Sequence, residues 1–145
     1  MTLEVAWRAR PVDETIQPAD AAAIRDCLLD YFEGWFDGDA ERMDRALHPG
    51  LAKHAVGQGP DQGDALDLTT KDEMVAATAR GLGRLRDLPD RAIRIDVVAV
   101  SGGIASAIVH SAVYVEYVLL ARTGDGWRIT STLWRWADGH GPRAT

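Results

Sequence analysis

The sequence predicts one α+β domain with helices packed on a curved antiparallel sheet, on three observations. Apolar residues recur at three- and four-residue steps up to Pro89, and alternate with polar ones after it. The two patterns are segregated along the chain, as in α+β folds, and not interleaved. The length of 145 residues suits one core, because a chain of this size buries roughly 70% of its extended surface.

Met1 to Gln17 carries no sustained period and is read as an N-terminal arm or short edge element. The stripe Ile24, Cys27, Leu28, Tyr31, Phe32 and Trp35 then marks a first amphipathic helix, with Pro18 suited to its first turn and Gly38 to the position after its end. Asp39 can cap a second, shorter helix with Met43, Ala46 and Leu47 facing inward, and Pro49 forces a turn at His48. Residues 57–64 are dense in Gly, Pro, Asp and Gln and read as a loop, either a lid or an insertion. Thr70 and Glu73 have capping-box spacing, so a third helix starts near Lys71, weakened at its end by Gly81 and Gly83 and closed by Pro89.

The sheet begins with Ile93, Ile95 and Val97 on alternate positions, up to a turn at Ser101-Gly102-Gly103. From Ile104 to about Arg122 runs a Val-, Tyr- and Ile-rich stretch, too long for an ordinary strand unless bent or bulged. After a turn at residues 123–126, Trp127 to Trp136 makes the last strand, and residues 138–145 form a polar tail. A long bent sheet wrapped on a long helix encloses a cone. The domain proper is thus expected over residues 18–137.

With 46% hydrophobic and 26% charged residues the chain is neither disordered nor fibrous. Its formal charge of -6 and pI near 5.1 repel phosphate backbones, which argues against nucleic acid as a partner. The first ten residues lack the apolar core of a signal peptide and no run approaches the roughly 20 residues of a membrane span, so a cytoplasmic address and no membrane contact are expected. Cys27 is the only cysteine, which excludes an intrachain disulfide and a multi-cysteine metal site, and its place on the first helix's apolar stripe makes it core filler.

His48 and His54 flank the Pro-Gly turn beyond the second helix and are candidates for acid–base work near neutral pH; the bland alternatives are a helix-capping His48 and a solvated His54. Their spacing is not that of a metal-binding pair, and no metal is expected. Glu116 lies in the apolar run Ala112 to Leu120, where a carboxylate must be paired, hydrogen-bonded or neutral. A two-residue hairpin loop at Gly124-Asp125 sets Glu116 opposite Leu133, with Arg135 diagonal to it for a plain salt bridge. A one-residue slip sets it beside Trp134 as a candidate base. His110 shares Glu116's strand parity, but six residues of strand span about 20 Å, so it is read as a sheet-face or dimer-contact residue. Tyr31, Trp35, Tyr117, Trp134 and Trp136 are the candidate ligand-binding aromatics, offering flat surface to a planar ring.

The segments Tyr31-Phe32-Glu33-Gly34-Trp35, Gly38-Asp39, Leu47-His48-Pro49, Tyr114-Val115-Glu116-Tyr117 and Gly126-Trp127-Arg128-Ile129 occur in an order that resembles the putative lumazine-binding branch of the nuclear transport factor 2-like superfamily. The resemblance covers roughly Ala21 to Trp136; it departs at Glu116, where the branch usually shows aspartate, and in a longer loop over residues 58–64. It implies the cone-shaped fold, a homodimer packed through the outer sheet face, and a pocket between the first helix and the inner face. It implies no reaction, because the superfamily spans isomerases, dehydratases, cyclases, hydrolases and members with no assigned activity. The reading is therefore a small-molecule-binding domain for an apolar or heterocyclic ligand, without a cofactor. The rivals are a cofactor-free isomerase, dehydratase or hydrolase working through His48 or Glu116, and a dimeric interaction module with no ligand.

Overall fold

The computed structural model describes residues 15–57 and 66–142. The expected arm up to Gln17 is outside the described residues as far as position 14, as are nearly all of the expected loop and the last three positions of the tail. Helix α1, Pro18–Asp37, opens with proline in its first turn and stops at Gly38, whose φ of 71° is the left-handed geometry that glycine adopts without strain. Helix α2, Ala40–Ala46, is capped by Asp39, whose carboxylate accepts the Arg42 N–H at 3.1 Å. Helix α3, Lys71–Ala79, begins with the complete Thr70/Glu73 capping box. Arg42 ties α1 to α2 by bonding Asp30 and Glu33 at 3.0 and 2.9 Å.

Among the described residues six strands follow the order β2-β1-β6-β5-β4-β3 in one sheet: β1 Leu47–Val56, β2 Leu66–Thr69, β3 Arg94–Ser101, β4 Ile104–His110, β5 Tyr114–Thr123 and β6 Gly126–Trp136. The α+β architecture agrees with the expectation, with three corrections of detail. The helical half contributes two strands, β1 and β2, and β1 pairs with β6 in parallel, so the sheet is mixed and not purely antiparallel. The long stretch after Ile104 is not one bent strand. It breaks at residues 111–113, where Ser111 Oγ accepts the backbone N–H groups of Val113 and Tyr114 and closes a turn without glycine or proline. Register irregularities in the β1/β6, β3/β4 and β5/β6 pairings supply the bends that curl the sheet.

Helix α1 lies against β6 and β3, and its buried face of Ile24, Cys27, Leu28, Tyr31, Phe32 and Phe36 meets Val109, Val113, Val118, Leu120 and Ile129 from the sheet. Cys27 is part of this core, its thiol donating to Ala46 O at 3.4 Å. Burial pushes that thiol from 9.0 up to about 12. A pKa raised on folding stabilises the fold fully below the unfolded value, and the contribution drains away as pH rises toward the folded one, on the order of 1.4 kcal/mol per pH unit. Between pH 9 and 10 the urea midpoint of the wild type is thus expected to drop relative to that of Cys27→Ala; identical slopes for the two would contradict it. Among the described residues no helix is long and apolar enough to cross a membrane.

Candidate functional site

Alternation along three strands and one helical stripe brings the site together. On β1, Leu51, Lys53 and Ala55 point inward; on β5, Tyr114, Glu116 and Val118; on β6, Thr132, Trp134 and Trp136 follow the same face. Helix α1 covers them with Tyr31, Phe32 and Trp35. Between helix and sheet is a cavity of about 400 Å³, lined by Tyr31, Phe32, Trp35, Lys53, Tyr114, Glu116, Trp134 and Trp136 and closed on one side by Thr69, Met74, Ala77, Leu82, Leu85 and Arg86. Its walls are mostly apolar, and its polar groups converge.

The convergence is a buried cluster of Lys53, Tyr31 and Glu116. Lys53 Nζ donates to Glu116 Oε2 at 3.0 Å and makes a short contact with the Tyr31 hydroxyl, which itself donates to Oε2 at 2.7 Å. Lys53 is 7% exposed and Glu116 2%, so neither charge is dissolved in bulk water. Burial pulls the Lys53 ammonium below the usual lysine range, against the opposing pull of Glu116. Burial also pushes the Tyr31 phenol well above its ordinary value, and the neighbouring carboxylate adds to the push. Both hydrogen bonds fall on Oε2, which leaves Oε1 as an acceptor. The ammonium further lies 5.0 and 5.2 Å from the Tyr31 and Trp134 ring centroids, within cation–π range.

Above this floor stands an aromatic wall. Trp134 and Trp136 meet edge to face at 5.1 Å, Tyr114 contacts both, and Trp35 Nε1 donates to the Tyr114 hydroxyl at 3.0 Å. Arg86 stacks on Trp136 at 4.5 Å and donates to Gly141 O.

The two registers open for Glu116 are resolved by a feature outside the turn. The hairpin loop has two residues, with Thr123 opposite Gly126, but Leu120 pairs with Ile129 and Leu119 with Ser131, so Thr130 bulges out. Past the bulge Glu116 faces Trp134, and Arg135 faces Val115, bonding instead to Trp136 O. The salt bridge of Glu116 is with Lys53 and not Arg135.

Tyr31, Trp35, Trp134, Trp136 and Glu116 therefore line the cavity, whereas three other candidates do not. Tyr117 is 58% exposed on the opposite sheet face, because successive strand residues point to opposite sides and Glu116 points in. His54, one residue from Lys53, is outside for the same reason, in register with Leu133 and Leu68. His48 sits at the start of β1 and accepts the Gly50 N–H on Nδ1 at 2.9 Å, a local turn bond away from the cavity. His110 ends β4 beside Arg94 at 3.4 Å; because β4 and β5 are separate antiparallel strands, it pairs with Val115 next to Glu116 and not a strand's length away, but alternation sets it on the opposite sheet face from that carboxylate. Among the described residues no group of three or more His, Cys, Asp or Glu side chains could hold a metal. Lys53 is the residue that sequence reasoning missed; its signal was the alternation of Leu51, Lys53 and Ala55, which sets a lysine on an apolar face.

A sequence profile of the family described as putative lumazine-binding matches residues 19–135. No curated protein matches the chain. Among solved structures, a nuclear transport factor 2-like protein of unknown function from Shewanella baltica aligns at TM-score 0.66 and 16% identity, over 87% of this chain and 100% of that one. One of the same description from Silicibacter pomeroyi aligns at 0.62 and 16%, over 81% and 95%. A third, from Novosphingobium aromaticivorans with a cystatin-like fold, aligns at 0.59 and 21%, over 83% and 84%. At these identities the likeness shows the fold alone.

Proposed function

The chain belongs to the putative lumazine-binding family of nuclear transport factor 2-like domains, and from that premise we propose that its cavity binds a small planar molecule of apolar or heterocyclic kind. The observation that carries this reading is the polar cluster at the floor of an otherwise aromatic cavity. A donor, Lys53, and an acceptor, Glu116 Oε1, stand side by side, the pattern that fixes the edge of a ring bearing a carbonyl next to an N–H. Trp136 adds an indole N–H that is buried with no acceptor among the described residues. Lumazine is the first probe suggested by the family's name. Trp35, Trp134 and Trp136 report occupancy directly: saturable quenching of tryptophan emission by such a ring is the expected result, and Trp35→Ala should weaken it about tenfold for one lost ring contact. A panel of lumazine and related heterocycles that gives only linear, collisional quenching would count against a binding cavity.

The acid–base alternative draws on the same carboxylate. Glu116, held by a phenol and an amine in a water-poor setting, is placed to move a proton on a bound substrate.

The outer sheet face supports a homodimer. Val98, Tyr117, Leu119 and Leu133 expose 38%, 58%, 50% and 46% of their surface on one side of the sheet, a contiguous apolar area where solvent gains nothing. Leu133→Glu is expected to convert a dimer to a monomer in sedimentation velocity, and a wild-type protein already monomeric at micromolar concentration removes this part of the proposal.

A further inference from the structure

We propose that Lys53 is a carbonyl-trapping amine, condensing with an aldehyde or ketone whose ring-bearing body occupies the cavity to form an imine at its floor. The inference rests on the cavity being a ligand site, as argued above, and adds a covalent step and a substrate class to it.

The choice of residue is the first observation. Lys53 and Lys71 are the only lysines in the sequence; every other permanent side-chain cation is arginine. Lys71 is accounted for structurally, bonding Leu47 O at 3.0 Å and lying 3.4 Å from Asp44. If Glu116 needed only a buried cation, the forked, always-charged guanidinium would hold it by two bonds. What lysine offers instead is a nitrogen that can lose its proton and attack carbon. The second observation is the setting. Desolvation favours the neutral amine, and the amine's neighbours are one carboxylate and one phenol, the groups that imine formation needs for moving protons. The third is the room beside it, because aromatic walls around about 400 Å³ would hold the body of a ring-bearing carbonyl compound against the floor.

The step balances within the cluster. The Lys53 ammonium passes a proton to Glu116 Oε2, 3.0 Å away, and the freed lone pair forms the N–C bond as the carbonyl π bond opens. The resulting alkoxide takes the proton from Glu116. The nitrogen then returns one of its own protons to the carboxylate, which delivers it to the hydroxyl, and the C–O bond breaks to release water. Ammonium plus carbonyl has become protonated imine plus water, with Glu116 left as the counterion. No oxidant, reductant or metal enters.

The test uses the full chain, 2-naphthaldehyde as the carbonyl probe, 2-naphthol as a probe of like shape that cannot form an imine, and borohydride to fix any imine. Expected are saturable quenching by both probes, an intact mass raised by one naphthylmethyl group, and peptide maps placing it on Lys53 at least severalfold faster than on Lys71. Lys53→Arg, which keeps the cation for Glu116, should gain no cavity adduct, whereas Lys71→Arg, outside the cavity, should bind 2-naphthol and gain the adduct as the wild type does. Adducts confined to Lys71 or the N-terminal amine, with 2-naphthol still binding, overturn the imine proposal and leave the binding cavity standing. If neither probe quenches saturably and Lys53 stays unmodified, both readings fall together.

Discussion

Replacing Glu116 with alanine is expected to destabilise the domain by about 3–5 kcal/mol at neutral pH, the range for removing one partner of a buried ion pair. The loss is that large because the side chain left behind is the problem. Lys53 would keep the Tyr31 hydroxyl and two ring faces but no counter-charge, in a site 7% exposed. The sign of the pH dependence follows. A lysine whose folded pKa is depressed lowers stability as pH falls below its unfolded value of about 10.4, because the unfolded chain takes up the proton more readily. Without Glu116 the depression deepens, so the gap between wild type and Glu116→Ala should be widest near pH 7 and narrow toward pH 10. Urea unfolding at both pH values measures it. A gap below about 1 kcal/mol at pH 7 would mean that the pair behaves as a solvated surface bridge. Restoring much of the loss with the double variant Lys53→Met/Glu116→Gln is the expected control, since no unpaired charge then remains.

Gly83→Ala is the second large effect, at about 3 kcal/mol, the upper end for forcing extra volume into a packed site. A Cβ at residue 83 would overlap the backbone carbonyl oxygen of Trp35 and come 2.6 Å from its ring carbon Cδ2. The carbonyl belongs to the last turns of α1 and cannot step aside as a side-chain tip would. The loop after α3 and the end of α1 must therefore separate, taking Trp35 off Tyr114 and opening the cavity wall. Thermal denaturation should show a clearly lowered midpoint, and the tryptophan emission should move to the red. An unchanged midpoint and spectrum would show that Trp35 is not clamped here.

How much of this was legible in the sequence depended on the range of the interaction. Helix starts at Pro18, Asp39 and Thr70 could be read because a cap is decided within four residues. Glu116 stood out because a carboxylate in an apolar run demands an explanation. Its partner did not, because the partner is set by a bulge at Thr130 that no local signal marks and by a parallel pairing between β1 and a strand some eighty residues later. Left without an assigned element, Leu51 to Val56 hid both a strand and Lys53. The break at Ser111 was masked for a similar reason, since the turn is closed by a hydroxyl within an apolar stretch. Tyr117 was avoidable, as period-two alternation alone forbids Glu116 and Tyr117 from sharing a face.

The parallel seating of β1 beside β6 also orders events in time. Lys53 lies in register with Thr132, and the strand that carries the amine is flanked on its other side by the four-residue β2. During synthesis, any nascent chain that ends before residue 132 leaves that strand as an open edge, its backbone groups unpaired toward the missing neighbour. The meander of β3, β4 and β5 can assemble from nearby contacts, but the floor beneath the tryptophans cannot be sealed until β6 arrives between the two halves.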